Sequence, residues 1–217
     1  MPRWFGPLAV LVCSSLFIGA SPPPRESTYL GGAAAAAEWA WLPYYGDALD
    51  PSRHHAATVV GSSHVDQFVY HGRVLGLVWD GVEPSDGKFT MVEWPGGYGK
   101  GRIVYDYTHD LVLYKVACCS LGEQVLARSA LRPSRRLPNS DLSRVHTQRG
   151  IALGDSIADV RRIDGAAASL PVPSHADLRM LSYAALRTGS PNPECGQWQT
   201  FIFRSDRLIS IELDNGC

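Results

Sequence analysis

The stretch WQTFIFRSDRLISIEL, from Trp198 to Leu213, decides the fold of the carboxyl-terminal part of this chain. Two runs rich in aromatic and β-branched residues flank the turn 205–207, which predicts an antiparallel hairpin. Apolar odd positions are Phe201, Phe203, Ile209, Ile211 and Leu213, whereas Thr200, Ser210 and Glu212 are polar. Because strand side chains alternate between faces, the odd positions are predicted to form the buried face.

This hairpin predicts a register and, from it, a disulfide. The predicted pairs are Phe201 with Ile211, and Phe203 with Ile209, so paired residue numbers sum to 412. The same register places Cys195 opposite Cys217. Opposed strand positions bring Cβ atoms to about 4.5–5.5 Å, near the separation of a disulfide. We therefore predict a Cys195–Cys217 bridge, with two free thiols as the alternative.

The three other cysteines give weaker indications. Cys118 and Cys119 are adjacent, so on a strand they point to opposite faces. Pairing with a partner chain, a vicinal disulfide and two reduced thiols all stay open. Cys13 lies inside an apolar run, and Val12 stands where bacterial lipoproteins usually carry a small residue, so acylation of Cys13 is disfavoured.

A helix start precedes the hairpin. Ser156 and Asp159 have capping-box spacing, and Gly165 is a typical helix end. One face of this short helix is predicted to be buried, through Ile157, Val160 and Ile163. An isolated helix of about three turns is marginal in water. We therefore expect it to pack on a sheet.

The same part of the chain carries a family resemblance. Its residues are the string from Arg149 to Val160, then Gly165, Leu181-Ser182-Tyr183, Thr200–Phe203 and Leu208–Ile211. They resemble the SmpA/OmlA-type (BamE-like) domain and its relatives in the β-lactamase-inhibitor-like fold, over residues 148–217, about a third of the chain. The resemblance implies a helix followed by a three-strand antiparallel sheet at 149–217. It also implies a small extracytoplasmic protein-binding or scaffold module of a bacterial cell envelope.

The amino terminus indicates export. Residues 1–20 contain Arg3, an apolar stretch and the small residues Gly19 and Ala20, which is the layout of a signal peptide. The apolar stretch is shorter than the roughly 20 residues of a membrane span. We expect cleavage near Ala20 and a periplasmic or secreted mature chain without a transmembrane span.

The remaining segments complete the predicted organisation. Residues 21–53 are rich in proline and alanine and are predicted to be a flexible lead. Short strand patterns separated by turn residues predict an antiparallel β meander at 54–131, with strands at 65–70, 74–79, 88–94, 102–107 and 111–116. Residues 132–148 lack periodicity and are predicted to be a linker. The predicted fold class is α+β and β-rich, with the meander followed by the small helix-plus-sheet domain.

A non-catalytic binding or scaffold module is the favoured function, with another envelope or secreted protein as its partner. The predicted contacts are the aromatic residues Trp39, Trp41, Tyr44, Tyr45, Trp94 and Tyr98. The same residues could instead form a hydrophobic lid over the meander. A formal net charge of -1, with 19% charged residues, gives no footprint for binding nucleic acid.

Two alternatives involve enzymes. A secreted metal-dependent hydrolase would use the segment containing His54, His55 and His64, with Asp66, because imidazole and carboxylate suit zinc. Adjacent histidines lack the spacing that directs two ligands at one ion, so we expect no catalytic residue, metal or cofactor. An inhibitor of a secreted enzyme is the other alternative, from fold analogy alone.

The mass of the exported protein tests these expectations together. We expect the intact mass, measured before and after reduction with thiol alkylation, to fit a chain that starts near Ser21. Peptide mapping should show Cys195 joined to Cys217. An uncleaved chain with four or five freely alkylated thiols would contradict both the signal peptide and the bridge.

Overall fold

The computed structural model describes residues 28–30, 57–75, 90–93, 100–118, 121–128, 140–172, 175–186 and 196–216. The strands in these ranges are β1 Thr28–Leu30, β2 Thr58–Val60, β3 Phe68–Tyr70, β4 Arg73–Val74, β5 Thr90–Glu93, β6 Lys100–Asp106, β7 Leu111–Cys118, β8 Leu121–Arg128, β9 His146–Thr147, β10 Leu170–Val172, β11 His175–Leu186, β12 Gly196–Arg204 and β13 Arg207–Gly216. They also contain the helix α1, Ile157–Asp164, and a 3-10 turn at Ser62–His64. The predicted β-rich α+β class is therefore confirmed. None of the helices in these ranges has the length and apolar character needed to cross a membrane.

Most strands belong to one sheet. Its order is β1-β5-β6-β7-β8-β13-β12-β11-β10, and β2 pairs with the outer edge of β11. A separate three-stranded sheet has the order β4-β3-β9. Strands β5 to β8 are antiparallel neighbours in chain order. Strands β3 and β4, which the sequence predicts to belong to the same meander, instead form a hairpin in the small sheet. Strand β1 lies within the segment 21–53 that was predicted to be a flexible lead.

The pairing of β8 with β13 joins the two regions that the sequence analysis treated as separate domains. Its register runs antiparallel from Gly122 opposite Asn215 to Ala127 opposite Ser210. Core residues of both regions, including Leu126 and Phe201, belong to one buried cluster. The two β regions therefore share one sheet and one hydrophobic core.

Residues 140–147 differ from the predicted linker. Leu142 and Val145 are buried in the main core, and β9 pairs with β3. Only two apolar side chains anchor this segment, which is too few to give a helical or strand period. That is why the sequence pattern resembled a linker.

The terminal hairpin follows the predicted register over most of its length. Pairs from Gly196 with Gly216 to Ile202 with Ser210 sum to 412, and a β-bulge follows at Phe203. The predicted pairing of Phe203 with Ile209 is wrong, since Phe203 lies opposite Leu208.

The turn explains this shift. Ser205 and Asp206 both have positive φ angles, 48° and 61°, and the closing pair is Arg204 with Arg207. A two-residue turn of this kind matches the strand twist better than the three-residue turn that a sum of 412 requires. As a result Leu208 enters the main core, and Ile209 joins a second cluster on the other face of the sheet, with Met180 and Ile202. Cys195 and Cys217 lie outside the described residues, so their bridge stays a prediction.

The helix forms as its capping signals predict. The amide of Asp159 donates to Ser156 Oγ at 3.1 Å, and Asp159 Oδ2 accepts from the Ser156 amide at 3.2 Å. Gly165 follows the last turn with a φ of 96°. Val160 is fully buried, and Ile157 and Ile163 pack against the same core. The helix therefore covers one face of the sheet.

The other face of the sheet is buried as well. Its polar residues Ser182, Thr200, Ser210 and Glu212 are each at most 5% exposed. The sequence predicts that only the odd-numbered face of the hairpin is buried. Polar side chains at even positions gave no indication that their face is also buried.

Leu126→Ala tests whether the sheet is one cooperative unit. Removing this buried side chain should lower the free energy of unfolding by about 2–5 kcal/mol. Circular dichroism and tryptophan fluorescence should report one coincident urea transition in both the wild type and the variant. Two separate transitions, with only the first shifted, would contradict a shared core.

Candidate functional site

The buried carboxylate of Asp106 lies where β6 ends and the turn to β7 begins. Its Oδ1 accepts hydrogen bonds from the amides of Thr108 and His109, each at 3.0 Å. Its Oδ2 accepts from the Leu142 amide at 2.8 Å and from Nδ1 of His109 at 2.7 Å. A carboxylate offers about four acceptor positions, so all of them are occupied. Asp106 thus fastens the β6–β7 turn to residues 140–146.

The segment from Ser140 to His146, which we name the 140–146 loop, is held at several further points. The Ser140 amide donates to the Tyr105 carbonyl at 2.7 Å, and the Val145 amide donates to the Leu142 carbonyl at 3.1 Å. Buried anchors and multiple hydrogen bonds leave such a loop little freedom. It therefore presents its outward side chains from a fixed base.

The polar side chains of Asp141, Ser143 and Arg144 lie on the exposed side of this loop. Ser143 donates to Asp141 Oδ1 through its amide at 3.0 Å and its hydroxyl at 2.5 Å. These hydrogen bonds hold the pKa of Asp141 below its ordinary value. Asp141 stays ionised, and Arg144 is exposed beside it. The loop therefore presents one anion and one cation to solvent.

Two cavities flank the 140–146 loop. One, of about 180 Å³, is lined by His109, Arg128 and Ser143 over an apolar floor. The other, of about 400 Å³, is lined by Tyr70, His71, Gly72, Asp141, Arg144, Val145 and His146, and we name it the groove. Both cavities combine an apolar base with polar side chains that can hydrogen-bond a ligand.

The histidines around the loop are oriented by their neighbours. Nδ1 of His146 lies 2.7 Å from the carbonyl oxygen of Thr147, and Nδ1 of His109 lies against Asp106. Carbonyl and carboxylate oxygens only accept, so in both rings Nδ1 carries the proton. When neutral, each ring then offers Nε2 as an acceptor.

The metal-binding capacity of this cluster can be judged from its bonds. Single ligand atoms of Asp106, His109 and Asp141 lie within 4.8 Å of one another. Asp106 already uses its four acceptor positions internally, so coordinating an ion would break bonds that hold the loop. We assign the cluster a bracing role rather than a metal-binding one.

The residues of the alternative metal site, which the hydrolase hypothesis would use, have other surroundings. His64 lies 3.4 Å from the Ser63 hydroxyl, and in the described ranges neither His64 nor Asp66 belongs to a group of three metal-ligand side chains. Asp66 is fully buried, and its Oδ1 accepts from the amides of Gln67 and Arg149 at 2.9 and 3.3 Å. Candidates outside the described residues are His54, His55, Trp39, Trp41, Tyr44, Tyr45, Trp94 and Tyr98.

Asp66 belongs to a second polar cluster beneath the small sheet. Nη1 of Arg149 lies 2.5 Å from Asp164 Oδ1, and Nη2 donates to the Ile163 carbonyl. Burial raises the pKa of Asp164 to about 6, against an opposing effect of Arg149 and with a further raising effect of Asp66. These three charged side chains join α1 to the loops beside β3 and β9.

Side chains from the large sheet complete this cluster. The amide group of Gln197 binds the backbone of Asp66 twice, accepting at 2.6 Å and donating at 2.7 Å. The Tyr183 hydroxyl donates to the Gly165 carbonyl at 2.8 Å. Burial, together with the charge of Asp164, raises the pKa of Tyr183 to about 12. Tyr183 is therefore neutral at physiological pH.

Comparison of the chain with protein-family models, with curated proteins and with solved structures gives no match. A functional assignment therefore depends on the described residues. The 140–146 loop is not evident from the sequence, because its residues have the pattern of a linker. The signal available was the placing of the apolar Leu142 and Val145 among polar neighbours, which is weak in a segment of seven residues.

Asp106→Asn tests the bracing role. The new NH₂ group cannot accept from the Leu142 amide or from the His109 ring, so unfolding should become easier by about 1–3 kcal/mol. Exchange of the Leu142 amide hydrogen should also accelerate. Asp177→Asn is the matched control, because Asp177 is exposed and forms a surface ion pair with Arg204 worth about 0–1 kcal/mol. Equal effects of both variants would contradict the brace.

Proposed function

We propose that this chain is an exported, non-catalytic binding or scaffold module of the bacterial cell envelope, with another envelope or secreted protein as its partner. The observation that carries the proposal is the saturated Asp106 carboxylate, which fixes the 140–146 loop between two cavities. A surface that is ordered before binding loses less conformational entropy when a partner docks. The loop and its cavities are the contact surface that we propose.

The chemistry of the groove suits a polar segment of a protein. Arg144 can form charge-assisted hydrogen bonds with a carboxylate or a backbone carbonyl. The buried Tyr70 lies edge-on to the exposed His71, with ring centroids 4.2 Å apart, so the ring that the groove offers to a partner is that of His71. Arginine is among the side chains that most often dominate the energy of interfaces. The aromatic contacts predicted from the sequence lie outside the described residues and stay a prediction.

The two alternatives are weaker. Asp66, one of the four candidate ligands of the hydrolase hypothesis, is buried and bonded internally. Stoichiometric zinc in the purified protein, lost when His54 and His55 become alanine, would support that hypothesis instead. The enzyme-inhibitor alternative would be supported by one tightly bound secreted enzyme.

Site-specific photocrosslinking tests the contact surface. A photoreactive residue at Ser143, which is exposed between the two cavities, should give one discrete adduct in the cell that exports the protein. The same residue at Arg179, exposed on β11, is the matched control and should give none. Arg144→Glu should reduce the adduct at Ser143 about tenfold, as expected for loss of an interface arginine worth above 1 kcal/mol.

The outcomes of this experiment are distinct. An adduct with one protein, sensitive to Arg144→Glu, supports the module. Identical adducts from Ser143 and Arg179, or none from either position, would contradict the proposed surface.

A further inference from the structure

The cluster of Asp66, Arg149 and Asp164 has an unbalanced charge. The side chains of Asp66 and Asp164 are 0% and 1% exposed. The Arg149 guanidinium forms an ion pair with Asp164, and the Arg149 backbone amide donates to Asp66, so one cation stands beside two carboxylates. With every group ionised, the cluster carries one net negative charge in a buried place. An uncompensated buried charge is costly, because the interior cannot replace the lost hydration.

The position of Asp164 adds to this cost. Asp164 is the last residue of α1, where the helix macrodipole disfavours an anion. Neither of its oxygens accepts a hydrogen bond from a described residue, so the ion pair with Arg149 is its polar contact there. Oδ2 of Asp66 also lacks a hydrogen-bond partner among the described residues. Uptake of one proton would neutralise the cluster and supply one donor.

We propose that the Asp66–Arg149–Asp164 cluster binds one proton as its surroundings become acidic, and that this proton strengthens the joint between α1 and the β3–β9 ladder. This regulation rests on the proposed function, because the joint supports one wall of the groove. The proton bonds to a carboxylate oxygen and leaves a neutral set of one carboxyl, one carboxylate and one guanidinium.

The joint and the groove are connected by short links. The Arg149 amide donates to Asp66, and the Gln148 amide donates to the Gln67 carbonyl at 2.8 Å. In the adjoining ladder Val69 lies opposite His146, which lines the groove. A change in the stability of the cluster therefore acts within a few residues of the contact surface.

The direction of the pH effect follows from the carboxyl of Asp164. Its folded pKa of about 6 lies above its ordinary value of 3.8. The stabilisation that protonated Asp164 gives to the folded chain is therefore fully present below pH 3.8 and is lost as the pH rises through about 6. The groups that face Asp164 are Arg149, Asp66 and Tyr183, with Arg161 beyond the tyrosine. Tyr183, whose pKa is raised to about 12, keeps its proton over this range.

Urea unfolding of the full chain at pH 7.5 and pH 5.0 tests the proposal. When the pH falls from 7.5 to 5.0, protonation of Asp164 should lower the equilibrium constant for unfolding of the wild type about tenfold. The unfolding constant of Asp164→Asn, which mimics the neutral carboxyl, should lack this part of the pH dependence. Asp214, whose pKa burial also raises to about 6, contributes to both proteins and cancels in the comparison. Asp177→Asn, at an exposed position, should behave as the wild type.

A second measurement tests the proposal even if the Asp164→Asn variant does not fold. In the wild type, the carboxyl carbon resonance of Asp164 should titrate near pH 6 in an NMR experiment. An equal pH response in the wild type and Asp164→Asn, or titration of Asp164 near its ordinary value, would overturn the proposal. These readouts need no partner, so they can succeed even where the crosslinking experiment refutes the proposed function.

Discussion

The pairing of β8 with β13 is the interaction on which the rest of the structure depends. Strand β8 hydrogen-bonds to β7 on one side and to the last strand of the chain on the other, so residues near 122 and near 215 are direct neighbours. Without this pairing both strands would expose edges, which promote aggregation. The same contact brings the helix, the small sheet and the strands β6 and β7 against one core. Its long sequence separation also predicts slower folding than a chain of local contacts.

Two buried aspartates then place the loops on this sheet. Asp106 accepts four hydrogen bonds and fixes the 140–146 loop, whereas Asp66 binds the Arg149 amide and is itself clamped by Gln197. Buried polar groups are tolerated when they are hydrogen-bonded, and they then define one arrangement of their surroundings. The two aspartates differ in how completely their carboxylates are hydrogen-bonded. Asp106 has its acceptor positions filled and serves as a rigid support, while the cluster of Asp66 and Asp164 retains an unmet charge and is sensitive to protons.

The sequence predicts those parts of the fold that depend on neighbouring residues. Apolar alternation from Phe201 to Leu213 gave the hairpin, and the spacing of Ser156 and Asp159 gave the helix start, because both signals act over a few residues. The two-residue turn at Ser205 was missed, since three polar residues in a row do not show where a turn closes. The β8–β13 contact was missed for a different reason. It joins segments about 90 residues apart, and no local pattern specifies which strands become neighbours. The candidate site could not be predicted for the same reason, because Asp106 and the 140–146 loop meet only through the tertiary fold.

Amide hydrogen exchange across β8 and β13 is the most direct test of the central claim that one continuous sheet unites the chain. The account predicts that amides of 122–127 and 210–215 exchange with the same slow, global rate and lose their protection together as urea is added. Fast exchange in β8 beside slow exchange in β13 would contradict a shared sheet, and the two regions would then have to be described as independent units.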